Sequence, residues 1–200
     1  MNIDVVESEL IDAQNKLSQY QNNITVFGSA RIAQDHPLAQ QAYQLGRQLS
    51  DLGFNILTGA GPGIMQAANH GAIQGKSKSI GLNIKLPKEQ APNPYLDECL
   101  VFEHFFTRKV TLIKHADVCV FFPGGFGTMD ELMEVLTLVQ TRKGKEVKIY
   151  LYDSSFWQPL LDWFDANLEK NAYIDKSDLK SFVIVDHIEQ ITTQITKPCP

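Results

Sequence analysis

The sequence predicts an α/β fold in which a mostly parallel sheet of about seven strands is flanked by helices. Apolar segments of strand length alternate along the chain with amphipathic segments of helix length. Several strand segments are apolar without alternation, which is typical of strands buried on both faces of a parallel sheet. Three of the strand-to-helix junctions are rich in glycine. These observations indicate one doubly wound domain over residues 1–200, without a linker or an internal repeat.

The first predicted element is a helix over residues 1–20. Its apolar residues recur at alternating spacings of three and four, which places them on one stripe of a helix. They are Ile3, Val6, Leu10, Ala13, Leu17 and Tyr20. This stripe either covers the core of its own domain or packs against a second subunit, and the spacing leaves both interpretations open.

Strands and helices then alternate through a core over residues 24–170 and a terminal strand and helix over residues 182–196. The predicted strands cover residues 24–30, 54–63, 77–87, 99–105, 117–125, 147–153 and 182–186. The predicted helices cover residues 37–53, 64–76, 106–116, 128–144, 155–170 and 187–196. Pro37 suits the first turn of its helix, and Gly53 suits the position just past the end of that helix. A loop rich in proline and asparagine is predicted over residues 87–98.

Composition restricts the classes of function. Hydrophobic residues make up 44% of the chain and charged residues 20%, as in ordinary globular proteins, and the net charge is −5. The negative charge argues against a nucleic-acid partner, which requires a basic face. A phosphate site would therefore have to be built locally from backbone amides and a few cations. Without a signal peptide or a long apolar segment, we expect a soluble, cytoplasmic protein with no membrane partner.

The cysteines and histidines indicate neither a disulfide framework nor a metal site. Cys99, Cys119 and Cys199 are far apart, and their odd number without a C-x-x-C motif argues against both. Cys99 and Cys119 fall in predicted strands, so we expect them to be buried. The five histidines show no ligand spacing. No metal or other cofactor is expected.

The glycine-rich junctions predict a phosphate site. They are "FGSAR" (27–31), "TGAGPGIM" (58–65) and "PGGFGTMDE" (123–131). Ligands of open parallel sheets bind at the carboxyl ends of the strands, where these loops should lie. Glycine allows close approach of the backbone, and the amides and dipole of a helix start attract an anion. Thr58 and Thr128 could add hydroxyl donors. One such loop is often only a tight turn, whereas two at one sheet edge favour a nucleotide or a sugar phosphate.

Two familiar nucleotide sites do not fit these loops. "GAGPGI" does not match the G-x-G-x-x-G pattern, and no acid follows at the distance that an NAD ribose requires. The sequence has no G-x-x-x-x-G-K-[ST] motif, which argues against a P-loop ATPase.

Acidic residues follow the third glycine-rich loop. Asp130 and Glu131 are predicted in the first turn of a helix, with Glu134 one turn after Glu131 on the same face. A carboxylate beside a phosphate site can accept ribose hydroxyls, orient water and stabilise an oxocarbenium ion. The simpler alternative is that acids occur in first turns because they interact favourably with the helix dipole.

Two cations, Arg108 and Lys109 in "FTRKV", stand near the start of another predicted helix. Cations there oppose the helix dipole, so they indicate a bound anion. Arg108 could clamp a phosphate in a bidentate manner or interact with a leaving base. The alternative is a solvated pair on the helix surface.

These motifs together resemble the Lonely Guy (LOG) family, once widely mislabelled as lysine decarboxylases. The resemblance extends from about Ile24 to Leu168 and rests on four segments. They are "VFGSAR", "TGAGPGIMQAAN", "FTRK" and "PGGFGTMDE". It implies a Rossmann-like fold, a dimer or higher oligomer, and hydrolysis of a nucleoside 5′-monophosphate to a free base and ribose 5-phosphate. Cytokinin ribotides or AMP would be the substrate.

The resemblance also implies the site residues. Arg108 and Glu131 would be the catalytic pair. The residues expected to bind substrate are Gly28, Ser29, Thr58, Gly59, Gly61, Gly63, Met65, Lys109, Pro123, Gly124, Gly125, Phe126, Gly127, Thr128, Glu134 and Thr137. Ala60 stands where the family often has a glycine. Residues 81–98 look more like the longer, higher-oligomer branch, which leaves the preferred base open.

Three hypotheses about function follow. A phosphoribohydrolase is favoured because Arg108 and Glu131 are both present. A non-catalytic nucleotide-binding or cofactor-carrier protein is the alternative, since such a protein could use the same loops without a carboxylate. A true lysine decarboxylase would need a lysine that binds pyridoxal phosphate and a much larger fold.

The apolar content of the predicted helix 128–144 favours a homo-oligomer with active sites shared between subunits. One sheet face cannot cover all of its apolar positions. They are Met129, Leu132, Met133, Leu136 and Val139.

Overall fold

The computed structural model describes residues 2–86 and 91–196. Part of the predicted loop 87–98, and Cys199, lie outside these ranges. Within them, strands and helices alternate as the sequence predicts. The strands are β1 (Asn23–Phe27), β2 (Asn55–Thr58), β3 (Ser79–Ile84), β4 (Glu98–Phe102), β5 (Val118–Phe121), β6 (Lys148–Tyr152) and β7 (Phe182–Val185). The α-helices are α1 (Ile3–Leu17), α2 (Pro37–Asp51), α3 (Ile64–Ile73), α4 (Phe105–Lys114), α5 (Phe126–Gln140), α6 (Ser154–Phe164) and α7 (Ile188–Thr196).

The seven strands form one parallel sheet in the order β4-β3-β2-β1-β5-β6-β7. The chain moves outward from β1 to β4 and then returns to place β5 on the other side of β1. Thr25 of β1 pairs with Leu57 of β2, and Phe27 pairs with Phe121 of β5. The predicted doubly wound fold is confirmed. The order reverses between β1 and β5, where such sheets form a crevice for ligands.

Each face of the sheet is covered by a separate apolar core. One core includes Leu17 of α1, Leu112 of α4, Leu132 of α5 and Trp157 of α6. The other core is formed with α2, α3 and α7. Strands β1, β2, β3 and β5 are buried throughout, as expected for strands covered on both faces.

The edge strand β4 corrects one prediction. Cys119 in β5 is buried, as expected, but Cys99 in β4 is exposed. Because β4 pairs with β3 on one side only, its residues alternate, with Leu100 and Phe102 buried and Val101 exposed. The apolar character of the segment did not reveal its place at the edge.

Two helices differ from their predicted bounds. Helix α5 begins at Phe126, two residues before the predicted start at 128, so Asp130 and Glu131 do not lie in its first turn. Arg142 then adopts a left-handed conformation (φ 54°) and ends the helix before Gly144. The predicted helix 155–170 is α-helical only to Phe164 and continues as a π-helix over Asp165–Glu169.

The apolar stripe of α1 is only partly used within the chain. Ala13 and Leu17 are buried, whereas Ile3 and Leu10 are exposed. The helix therefore covers its own core with its C-terminal half. Among the described residues, no helix combines the length and the apolar content needed to cross a membrane.

Candidate active site

A cavity of about 680 Å³ lies where the loops after β1, β2 and β5 meet, at the reversal of strand order. Residues 28–31 form one wall, Gly59, Met65 and Arg108 form another, and residues 124–129 with Glu131 complete it. All three predicted glycine-rich junctions therefore contribute to one cavity.

The N-terminus of α5 opens into this cavity. Gly125 is the N-cap residue, and no side chain caps the amides of the first turn. A Cβ atom on Gly125 or Gly127 would have no neighbour within 4 Å, whereas one on Gly124 would lie 2.1 Å from the Oγ1 of Thr128. Uncapped amides and the positive end of the helix dipole form an anion site.

The loop after β1 is fastened to the loop after β5. The Ser29 amide donates to the Pro123 carbonyl (3.0 Å), and the Ile64 amide donates to the Ser29 carbonyl (3.0 Å). Gly63 has φ 68°, and a Cβ there would lie 2.2 Å from the Ser29 carbonyl oxygen. Pro123 and Gly63 do not line the cavity, and their contacts shape the loops that do.

The loop after β2 is held by buried side chains, which corrects the prediction for Thr58. The Thr58 hydroxyl donates to Oδ1 of Asn69 (2.5 Å) and accepts from the Ala60 amide (3.0 Å), so it is not available to a phosphate. The backbone amide of Asn93 donates to the Ala60 carbonyl (2.8 Å), and its side-chain Nδ2 donates to the Gly61 carbonyl (3.2 Å). Gly61 therefore supports the loop and does not line the cavity.

Ala60 adopts the left-handed conformation (φ 60°) that glycine favours. Alanine in this conformation costs roughly 1 kcal/mol relative to glycine. The bonds to Thr58 and Asn93 hold the backbone in place, so the departure from the family's glycine preserves the shape of the loop.

Arg108 forms the back wall of the cavity. Its Nε donates to the Leu82 carbonyl (2.8 Å), and its Nη2 lies 3.5 Å from the Gly59 carbonyl. A Cβ on Gly59 would lie 1.9 Å from Nη2, so any other residue there would displace the guanidinium from its present position. Burial lowers the pKa of Arg108 and the charge of Glu131 opposes this. Arginine nevertheless remains a cation at neutral pH.

Glu131 lines the same cavity as this cation. Burial raises the pKa of its carboxyl to about 7, although Arg108 and Lys109 act to lower it. Among the ion pairs of the described residues, none joins Arg108 to Glu131. The two charges therefore influence each other while both remain available to a ligand, and Glu131 can gain or lose a proton near neutral pH.

Besides Thr58, Gly61, Gly63 and Pro123, three more residues predicted to bind substrate lie outside this cavity, on α4 and α5. Lys109 forms ion pairs with Asp130 (2.9 Å) and Glu134 (2.8 Å), and these pairs link α4 to the outer face of α5. The Thr137 hydroxyl donates to the Met133 carbonyl (2.7 Å) within α5. The structure of one chain therefore does not bring Lys109, Glu134 or Thr137 to the site.

Four lining residues were missing from the predicted set: Phe27, Ala30, Arg31 and Met129. Of these, Arg31 is chemically informative, because it adds a cation at the exposed mouth of the cavity. Its amide donates to the Ser29 hydroxyl (3.1 Å). The sequence could have indicated this residue, because "FGSAR" places an arginine in the short loop that follows the end of β1.

Comparisons with known proteins agree with this geometry. The family model described as "possible lysine decarboxylase" matches residues 65–195. A probable cytokinin riboside 5′-monophosphate phosphoribohydrolase of Oryza sativa subsp. japonica is 28% identical over 177 residues, which cover 87% of this chain and 76% of the relative. A pyrimidine/purine nucleotide 5′-monophosphate nucleosidase of Escherichia coli (strain K12) is 27% identical over 193 residues, covering 90% of this chain but 41% of that protein.

A solved structure shares the fold. The molybdenum cofactor binding protein of Rippkaea orientalis superposes with a TM-score of 0.62 at 24% identity, over 88% of this chain and 95% of that one.

The raised pKa of Glu131 predicts a pH-dependent stability difference between the protein and its Glu131→Gln variant. The unfolded chain ionises near pH 4.5 and the folded protein near 7, so the wild type loses stability relative to the variant across that interval. The difference should grow to about 3 kcal/mol by pH 8 and stay constant above it. Urea denaturation at several pH values measures it. Glu7→Gln, at an exposed site on α1, is the control. A difference that does not vary with pH would contradict the assignment.

Proposed function

The chain belongs to the Lonely Guy family, whose model is described as "possible lysine decarboxylase", and from this membership we propose that it hydrolyses a nucleoside 5′-monophosphate. The products would be the free base and ribose 5-phosphate. One observation carries the proposal: Glu131, with its pKa raised to about 7, shares a cavity with an uncapped helix start and with Arg108.

The 5′-phosphate would bind at the start of α5. The amides of residues 126–128 lack a side-chain cap, and the helix dipole adds positive potential. Gly125 and Gly127 have open space where a side chain would stand, so a phosphate can approach their backbone. Arg31 at the mouth of the cavity adds a cation in a chain whose net charge is −5.

With the phosphate at the helix start, the ribose would face Glu131, which lies beyond the first turn. Its carboxylate would accept ribose hydroxyls and take a proton from the water that attacks C1′. The C1′–N bond breaks, its electron pair leaves with the base, and the positive charge on the ribose is stabilised by the carboxylate. Arg108 remains protonated and would stabilise the electron pair on the departing base. Glu131 then gives the proton taken from the water to the departing nitrogen, which yields the free base and restores the carboxylate. Both proton transfers are thus assigned to Glu131.

The alternative is a carrier that binds a nucleotide or cofactor without cleaving it, as the shared fold with a molybdenum cofactor binding protein permits. Glu131 favours hydrolysis. A half-buried ionisable carboxyl lowers the stability of the fold and repels a bound phosphate, so a carrier of anions gains nothing from it.

The description "possible lysine decarboxylase" does not match the cavity. Decarboxylation through pyridoxal phosphate requires a lysine that forms a Schiff base with the cofactor. The described residues that line the cavity include no lysine, and Lys109 is engaged with Asp130 and Glu134 outside it.

Exposed apolar side chains near the cavity support a homo-oligomer with shared sites. Phe105, Phe106 and Val110 of α4 are exposed, as are Met133 and Phe126 of α5, and Phe126 is 96% exposed although it lines the cavity. A second copy packed against these helices would cover the apolar surface and wall the cavity.

Incubation with a panel of nucleosides and nucleotides tests the proposed reaction. We expect AMP or another nucleoside 5′-monophosphate to release free base faster than adenosine or ATP, because the helix start offers one place for a single phosphate group. Glu131→Gln should bind AMP but turn it over on the order of 10²-fold more slowly. Chromatography of the free base measures both. Faster cleavage of adenosine than of AMP, or full activity of the glutamine variant, would contradict the proposal.

Substitution of the two neighbouring cations separates the cavity from the helix surface. Arg108→Ala should lower turnover and weaken AMP binding by about tenfold or more, because the cavity loses its back-wall charge. Lys109→Ala should change both far less, since Lys109 pairs with acids outside the cavity. Steady-state kinetics and calorimetric titration with AMP give the comparison. If both substitutions had equal and negligible effects on turnover and AMP binding, Arg108 would have only a structural role.

Sedimentation tests the proposed homo-oligomer. The protein at micromolar concentration should show no monomer, and the interface between subunits should bury roughly 2,000 Å² or more in total. Val110→Asp on α4 should dissociate the oligomer and reduce activity. Val183→Asp on β7 is the matched control, because both valines are 41% exposed. A stable and fully active wild-type monomer would disprove the shared site.

A further inference from the structure

Helix α1 contacts the start of α4 through one buried carboxylate, that of Glu9. Its Oε1 accepts a hydrogen bond from the Glu103 amide, and its Oε2 accepts from the Thr107 hydroxyl (2.6 Å). Oε2 also lies 3.2 Å from Nδ1 of His104. The Glu9 side chain is 9% exposed, which is low for an acid.

These contacts join α1 to the start of α4 through the Glu103 amide and the side chains of His104 and Thr107. His104 is the N-cap residue of α4, and its own side chain makes no capping bond. Glu9 instead binds the residue before the cap and the third residue of the helix, and its charge interacts favourably with the positive end of the dipole. Burial acts to raise the pKa of Glu9, but the hydrogen bonds from Thr107, Glu103 and His104 outweigh it, so the pKa is lowered and the carboxylate is ionised.

The turn that Glu9 binds leads directly to Arg108. Arg108 follows Thr107 in the chain, and its amide makes the first helical bond, to the His104 carbonyl (3.3 Å). The guanidinium must then reach the Leu82 carbonyl beside Gly59, where a displacement of the helix start would break its 2.8 Å bond.

Packing of α1 does not require this carboxylate. The helix is anchored to the core by Ala13 and Leu17, one to two turns further along. Glu9 lies in the half of the helix where Ile3 and Leu10 remain exposed. A buried acid in that half has its bonding partners only at the start of α4 among the described residues.

We propose that Glu9 is a positioning residue for the active site, which holds the first turn of α4 and thereby the guanidinium of Arg108. The proposal rests on the proposed function in that Arg108 acts on the substrate there. It assigns α1 a role beyond covering the core: the N-terminal helix sets the geometry of a site that it does not touch.

A mutant cycle tests this role. Glu9→Ala should lower turnover of AMP by about tenfold, because a displaced start of α4 would move the guanidinium of Arg108 away from its place in the cavity. Glu9→Gln keeps one acceptor oxygen and should lose less turnover than Glu9→Ala. It also provides a variant to measure if Glu9→Ala does not fold. Asp12→Ala, on the same helix but without a bond to α4, should retain full activity. In an Arg108→Ala background, Glu9→Ala should cause no further loss, because its effect passes through that side chain.

A second readout separates this proposal from the proposed function. The Nε–H of Arg108, bonded to the Leu82 carbonyl, should give a protected NMR signal in the wild type and a shifted or rapidly exchanging one in both Glu9 variants. If the wild type releases no base from any nucleotide, the proposed reaction fails, and this signal still decides the role of Glu9. An unchanged Arg108 signal, or an equal loss of activity with and without Arg108, would overturn the proposal.

Discussion

The site depends on the position of the α5 N-terminus at the reversal of strand order between β1 and β5. In a parallel sheet every helix that follows a strand begins at the same edge, but only at a reversal do two such loops diverge and leave a crevice. The bond from the Ser29 amide to the Pro123 carbonyl fixes the width of that crevice. The glycines adapt to this constraint: Gly59 leaves room for Arg108, Gly124 for Thr128, and Gly63 for the Ser29 carbonyl.

The same constraint explains which features could be predicted from the sequence. Apolar segments predicted all seven strands. The signal was strongest for β1, β2, β3 and β5, because strands buried on both faces have no polar alternation to obscure them. The glycine-rich junctions predicted the cavity, because their position at strand ends places them at one edge. The start of α5 was predicted two residues late, since Gly127 was assigned to the loop. A glycine early in the first turn is compatible with a helix, because amides there have no helical partner.

The features that the sequence could not predict depend on contacts between distant segments. Thr58 looks like a phosphate donor until Asn69 and Asn93, from two other segments, bring their amides to the loop. Lys109 follows Arg108 directly, but one helical step turns it away from the cavity towards α5. Glu9 is 98 residues from Thr107, and no local pattern connects them. Exposure of Cys99 likewise follows from the place of β4 in the sheet order.

Arg108 and Glu131 are best understood as one electrostatic unit. Burial and the charge of Asp130 raise the pKa of Glu131, while Arg108 lowers it, and the balance falls at about 7. Without the arginine, the carboxyl would remain protonated at neutral pH and could not accept a proton from water. Without the acid, the arginine would be a half-buried cation that lacks the opposing charge of Glu131. A bound phosphate monoester adds negative charge to the same cavity, which opposes ionisation of Glu131. The guanidinium must therefore offset both burial and substrate charge, and its fixed position between Leu82 and Gly59 matters as much as its charge.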